Sequence, residues 1–209
     1  MLRSNPLLEA FGCAHTEHNA NSSRYGKFVE LRFNNLGRMT EARITTYLLE
    51  KSRVVSHGPR ERSFTAMHTV VAGCTAAEAK ALGLQSASFA YLAGGARAAS
   101  DDKAVHAEVR AAFSGLGVGD AEQAQVWELI AAVLHCGNVQ LASEPAAGGS
   151  PSGSDGGARI DGDAAKRALT QASQLLGVDA GQLEDAMLLQ RMRAGTEWIT
   201  RSHTAAEAA

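Results

Sequence analysis

Cysteine is scarce in this chain. Cys13, Cys74 and Cys136 are the only three among 209 residues, an odd and widely spaced set that argues against a disulfide framework and predicts free thiols in a reducing compartment. His135 and Cys136 are adjacent, which is not a zinc spacing, and no second pair complements them. No apolar run is long enough to span a bilayer, and residues 1–10 carry no signal-peptide core. Net charge is also small, at −2. That excludes a general attraction to nucleic acid or to an anionic membrane, and confines any electrostatic partner surface to a local patch. A Gly-x-x-x-x-Gly-Lys-Ser/Thr phosphate loop is missing too, because Gly26-Lys27 lacks the earlier glycine at the required spacing. What the chain does have is 45% hydrophobic and 20% charged residues, the balance of a soluble globular protein with one or two domains.

The most informative stretch is Asn19-Ala20-Asn21-Ser22-Ser23-Arg24-Tyr25-Gly26-Lys27-Phe28. Two amides, two hydroxyls and a guanidinium stand just before the alternating run Val29, Leu31, Phe33, which predicts a strand over Lys27 to Phe33. A polar loop feeding a strand is a place where a rigid sheet can hold a reactive site, and serine hydroxyls are hard oxygen ligands suited to Mg2+ beside phosphate.

The remaining elements follow in order. Pro6 to Ala14 reads as a short helix with Asn5 as N-cap. The turn formers Asn34-Asn35-Leu36-Gly37 lead to a second strand, Ala42 to Leu49, and the short connection makes an antiparallel hairpin. Glu61 to Cys74 reads as helical, and Thr75 with Glu78 has the spacing of a capping box. Asp101-Asp102 reads as an acidic helix start rather than a metal site. Asp120 to Cys136 has the strongest helical periodicity, with Asp120 and Gln123 placed to cap its start. Ser143 to Gly162, rich in Gly, Ser, Ala and Pro, reads as a flexible insertion. Asp163 to Gly177 and a segment from Asp179 to about Gln190 are helical, and Arg191 to Arg201 alternates around a glycine as a second hairpin.

The loop string closely resembles switch I of the myosin motor domain, usually Asn-x-Asn-Ser-Ser-Arg-Phe-Gly-Lys-Phe. The resemblance extends to Ser4-Asn5-Pro6-Leu7-Leu8-Glu9-Ala10-Phe11-Gly12, to Tyr47-Leu48-Leu49-Glu50-Lys51-Ser52-Arg53-Val54 and to Ala131 through Val139, where Cys136 replaces a leucine. Glu61-Arg62-Ser63-Phe64-Thr65-Ala66-Met67-His68 departs from the family's Glu-Arg-Asn-Phe-His-Ile-Phe-Tyr, which predicts looser packing of that helix. The similarity implies an α+β, mainly helical fold: a hairpin contributed to the central sheet of a P-loop NTPase-type motor head, then a helical subdomain. It divides residues 1–209 into switch I and transducer-like strands (1–58), a helical part of the upper head (59–142), the insertion (143–162) and helices with an actin-contacting hairpin (163–209).

The resemblance also implies roles. Ser23 would ligate Mg2+, Ser22 would lie near the γ-phosphate and attacking water, and Asn19 and Asn21 would contact nucleotide or hold the loop. Arg24 would pair with a switch II glutamate, although no Asp-x-x-Gly string occurs here. Arg191, Arg193, Glu197 and Trp198 would contact the actin filament. The implied cofactors are ATP and Mg2+. The implied partners are actin, the remaining motor-head segments and light chains, in a cytoplasmic, cytoskeletal myosin complex, without nucleic acid or membrane insertion. The relay, converter and light-chain-binding helix are expected beyond the C-terminus. Without the phosphate loop and switch II, the chain alone is not expected to hydrolyse ATP. A non-catalytic actin-binding fragment and a decayed motor remnant are the alternatives.

Overall fold

The computed structural model describes residues 4–85, 88–94, 99–143, 157–195, 197–204 and 207. Helices and strands are mixed, and among the described residues the strands form four two-stranded antiparallel sheets. The chain divides into two compact units, residues 1–130 and 131–209.

In the first unit, α1 spans Asn5–Gly12. It starts one residue earlier than the sequence predicts, because Ser4 takes the cap position and Asn5 is already helical. It also ends two residues sooner than Ala14. Cys13–Ala14 instead forms the short strand β1, which pairs with β2 (Ser22–Ser23) and folds the polar loop back on itself.

Strands β3 (Gly26–Phe33) and β4 (Met39–Tyr47) make the predicted hairpin. Gly37 adopts φ +72° in the turn, a conformation open to glycine at little cost. β4 begins three residues before Ala42 and stops at Tyr47, since Leu48 turns into the left-handed region at φ +54° and ends the ladder.

Three helices carry the core of this unit: α1, α2 (Thr65–Gly73) and α4 (Ala99–Gly115), which pack on one another. Within the segment that departs from the family string, Phe64, Ala66 and Met67 are buried while Thr65 and His68 are half-buried, and Thr69 and Val70 continue the buried face. The close approach of α2 to α4 is seen at Gly73, where a β-carbon would lie only 2.3 Å from the His106 β-carbon of α4. Between α2 and α4, the short helix α3 (Ala76–Ala81) starts with the predicted capping box. The Thr75 hydroxyl accepts from the Glu78 N–H at 3.2 Å, and the Glu78 carboxylate accepts from the Thr75 N–H at 2.7 Å.

Helix α5 covers Asp120–Cys136, and the boundary between the units falls within it. Its start is not capped by Asp120 and Gln123 as the sequence predicts. Gln123 is buried and donates back to the Ser114 hydroxyl at 3.1 Å and the Val118 carbonyl at 3.0 Å, while Glu122 accepts the Gly119 N–H at 3.0 Å. Burial recruits the amide to lock the α4–α5 turn, and the carboxylate one residue earlier takes over the cap.

In the second unit, β5 (Leu141–Ser143) pairs with β6 (Ala158–Ile160). The two ends of the predicted insertion are therefore zipped together, and its residues 144–156 lie outside those described. Helix α6 (Gly162–Leu176) ends on Gly177 at φ +66°, and α7 (Ala180–Leu188) starts on Asp179, whose carboxylate accepts the Gln182 N–H at 3.0 Å. Val139, Ile160, Ala165, Ala168 and Leu169 form the core, covered by Leu141, Leu183, Met187 and Leu188. Strands β7 (Leu189–Ala194) and β8 (Glu197–Ser202) close the unit as the predicted second hairpin, with Gly195 at φ +64° in its turn.

Candidate functional site

The polar loop between β1 and β3 is tethered at both ends by backbone hydrogen bonds. Upstream, the Thr16 N–H donates to the Asn19 carbonyl at 2.9 Å. Downstream, the Arg24 N–H donates to the Gly12 carbonyl at 2.8 Å, and the Arg24 carbonyl accepts the Glu50 N–H at 2.9 Å. Two glycines admit the aromatic rings that wedge the loop in place. A β-carbon on Gly12 would lie 2.4 Å from the Tyr25 ring, and one on Gly26 would lie 2.4 Å from the Tyr47 ring. Any larger residue at either position would displace a ring that fixes the exit of the loop.

Within this frame the side chains divide into those that build the loop and those that face outward. The Asn19 side-chain carbonyl accepts the Asn21 N–H at 2.9 Å, and the Asn21 amide donates to Glu9 at 3.2 Å. Both asparagines are exposed and serve here as local staples. The Ser22 hydroxyl accepts from Arg24 Nη1 at 3.3 Å. Ser23 is an exposed residue, and its hydroxyl lies 3.6 Å from the sulfur of the buried Cys13.

Arg24 is held by a charge network that sequence reasoning missed. Its Nε donates to Glu50 Oε2 at 2.5 Å. The same carboxylate accepts from Arg53 Nε at 2.7 Å, and Arg53 Nη1 reaches Glu61 at 2.9 Å. Arg53 is only 4% exposed, so its two carboxylates balance a charge removed from water. The Glu50, Arg53 and Glu61 residues were visible as charges, but nothing in their spacing says that Arg24 joins them from 26 residues away.

Hydrogen bonds from Arg24 and then Arg53 hold the Glu50 carboxyl down at about 2, below its ordinary 4.5. A depressed carboxylate stabilises the fold above its unfolded value and loses that contribution as pH falls through its folded one. Glu50→Gln is therefore expected to be less stable than the parent at neutral pH, by about 1 kcal/mol because the group is partly solvated. The gap should close between pH 4.5 and about 2. Thermal melts across that range check it, and a gap independent of pH would show that the charge is immaterial.

The second group of predicted site residues lies on β7 and β8 in the other unit. Arg191, Arg193, Glu197 and Trp198 are all exposed, and Trp198 keeps 70% of its surface open. Glu197 stands directly opposite Ala194 in the ladder. The neighbouring arginines turn elsewhere: Arg193 donates to the Gly195 carbonyl at 3.1 Å, and Arg201 to Gln190 at 3.0 Å and Glu207 at 2.8 Å. Among the described residues, no cluster of three or more His, Cys, Asp or Glu side chains could hold a metal, and no helix is long and apolar enough to cross a membrane.

The family model described as myosin head (motor domain) matches residues 1–209. Unconventional myosin-Ia of Rattus norvegicus is 36% identical over 95% of this chain and 23% of its own length. Myosin ID heavy chain of Dictyostelium discoideum is 36% identical over 94% of this chain and 17% of its own. Myosin-VIIa of Drosophila melanogaster is 41% identical over 67% of this chain and 7% of its own. The chain thus spans less than a quarter of the length of these relatives. It belongs to the myosin head (motor domain) family.

Proposed function

We propose that this chain is the part of an ATP-driven, actin-based motor that carries the Mg-ATP-sensing switch I loop and a portion of the actin-binding surface. The observation that carries the reading is the loop itself. Ser22 and Ser23 follow each other on a short strand pinned by Gly12 and Glu50, with Ser23 exposed.

The residues present fit a hard divalent cation. Ser23 offers a neutral oxygen at the surface, and Mg2+ takes one or two protein oxygens while phosphate and water complete its shell. Bound Mg2+ would neutralise charge developing on the phosphates. Ser23 would hold the ion, and Ser22 would orient the attacking water. Asn19 and Asn21 would keep the loop in shape through the staples described above. Arg24, parked on Glu50, would exchange that partner for a switch II glutamate supplied by the rest of the head, which gives the loop two arrangements to respond to the γ-phosphate.

The open hairpin β3–β4 supports the same reading. Among the described residues β3 and β4 pair only with each other, which leaves their outer edges open to further strands, and Phe28 and Phe33 on their faces each keep 58% of their surface exposed. On the second unit, Arg191, Arg193, Glu197 and Trp198 present charge and an aromatic anchor to a filament surface.

The test is to graft the segment into a complete motor head. Actin-activated, Mg-dependent ATP turnover is expected there, with loss in Ser23→Ala and none from the isolated chain. Turnover unchanged in Ser23→Ala refutes the switch reading. Actin co-sedimentation that survives Arg191→Ala, Arg193→Ala and Trp198→Ala together refutes the surface assignment. Filament binding without any turnover in the graft favours the non-catalytic alternative.

A further inference from the structure

We propose that the Cys13 thiol is a positioning residue for Ser23: its sulfur accepts the Ser23 hydroxyl proton and so turns both lone pairs of that oxygen outward, toward a divalent cation. The proposal rests on the reading of Ser23 as the Mg2+ ligand and goes one step behind it.

A serine oxygen carries one proton and two lone pairs. Coordination to a hard cation requires a lone pair facing the ion and the proton directed away from it. Rotation about the Cα–Cβ and Cβ–Oγ bonds leaves this choice open unless an acceptor stands on the protein side. Cys13 stands there. It is opposite Ser23 in the β1–β2 register, its sulfur lies 3.6 Å from the hydroxyl oxygen, and it is 2% exposed. Ser23 as a residue is exposed.

The backbone around Cys13 leaves the thiol little room to drift. Its N–H caps α1 by donating to the Glu9 carbonyl, and its own carbonyl accepts from the Thr65 hydroxyl at 3.2 Å. The next residue, Ala14, bridges to Phe64. Sulfur is also the right kind of atom for an orienting role. It is a soft, weak acceptor, so it can hold the proton of Ser23 without competing for Mg2+, which selects oxygen. A carboxylate in its place would bid for the ion itself.

The first arm of the test reads the thiol in this chain directly. With Cys74→Ala and Cys136→Ala in place, the Raman S–H band reports Cys13 alone. The expected band is that of a thiol that is not donating, and it shifts when Ser23→Ala removes the hydroxyl. A low-frequency band that rises in Ser23→Ala makes the thiol the donor and overturns the proposal. A band that does not respond to Ser23→Ala overturns it as well.

The second arm uses the grafted head. Cys13→Ala is expected to raise the Mg2+ concentration for half-maximal turnover about tenfold, the lower end of what losing an orienting partner costs a metal site. Turnover at saturating Mg2+ should be retained, and Cys13→Ser, which restores an acceptor but as an oxygen that can compete for the ion, should return the Mg2+ requirement only part of the way to the parent's. If Ser23→Ala itself leaves the Mg2+ requirement unchanged, the ligand assignment fails and takes this proposal with it. If Ser23→Ala alters the requirement and Cys13→Ala does not, the proposal alone fails.

Discussion

Replacing Asp102 with alanine is expected to lower the unfolding free energy of this chain by about 3–5 kcal/mol, the cost of leaving one member of a buried ion pair behind. Asp102 is 4% exposed and Arg62 is 6% exposed. The guanidinium meets the carboxylate with two hydrogen bonds, at 3.2 and 2.6 Å, the forked geometry that makes such pairs strong. Arg62 cannot withdraw to water once its partner is gone. Its own N–H is tied to the His15 carbonyl at 3.0 Å, and its carbonyl accepts from Arg53 at 3.3 Å. Asp102 also stands in the first turn of α4, where a negative charge meets the positive end of the helix. Urea unfolding reads the effect as a lower midpoint with an unchanged slope. Replacing both partners together, Arg62→Met with Asp102→Leu, should cost far less than Asp102→Ala, because no unpaired charge remains. A loss below about 1 kcal/mol in Asp102→Ala would mean that the pair behaves as a surface one.

That pair marks the line between what could be read from the sequence and what could not. The acidic start of α4 is a local signal, and Asp101-Asp102 announces it. The partner is 40 residues away, and nothing local in Glu61-Arg62-Ser63 singles out Arg62 from the other arginines. The capping box at Thr75 and Glu78, the cap at Asp179 and the hairpin turns at Gly37 and Gly195 were legible for the same reason: each is a bargain struck among residues a few positions apart. Strands β1 and β2 were not. Two residues carry no periodicity, so the fold-back that places Cys13 against Ser23 shows only in three dimensions. The end of α1 moved for that reason, since Cys13 and Ala14 gain a strand partner that a helix would deny them.

The loop residues were legible as chemistry, but their partners were not. Ser22, Ser23 and Arg24 announce a polar site by type and order. That Arg24 rests on Glu50, and that Glu50 is shared with Arg53, depends on how the turn after β4 brings a second segment alongside the first. Leu48, in the left-handed region, makes that turn, and no residue-type preference predicts a leucine there.

Replacing His106 with phenylalanine is expected to stabilise the chain by about 1–3 kcal/mol, because it removes buried polar atoms that the fold does not satisfy. His106 is 2% exposed, and among the described residues no protein group pairs with either of its ring nitrogens. One side of the ring packs on aromatic neighbours. The imidazole lies 4.6 Å from Trp127, centroid to centroid, and Trp127 in turn packs on Phe113 at 6.0 Å and Phe11 at 6.3 Å. Gly73 closes over its β-carbon, while a cavity of about 110 Å³ that His106 lines together with Cys74, Glu78, Arg110, Trp127 and Glu128 leaves space for the larger side chain. Burial pushes the imidazole below its ordinary 6.5, the Arg110 charge adds to this, and Glu78 opposes it less strongly. The folded state therefore prefers the neutral ring. Its contribution to stability is complete above pH 6.5 and declines as pH falls through that value toward the folded one, since the unfolded chain binds a proton there that the folded chain refuses. Glu78, held down at about 2 by Arg110 and by the Thr75 N–H, loses its own contribution only at lower pH, so the interval from about pH 6.5 to 5 isolates the histidine among these neighbours. Thermal melts at both ends of that interval should show the parent losing more stability than His106→Phe, with the variant the more stable of the two throughout. An acid loss of equal size in both proteins would place the titrating group elsewhere, and a destabilised variant at the upper pH would mean that the ring nitrogens are satisfied after all.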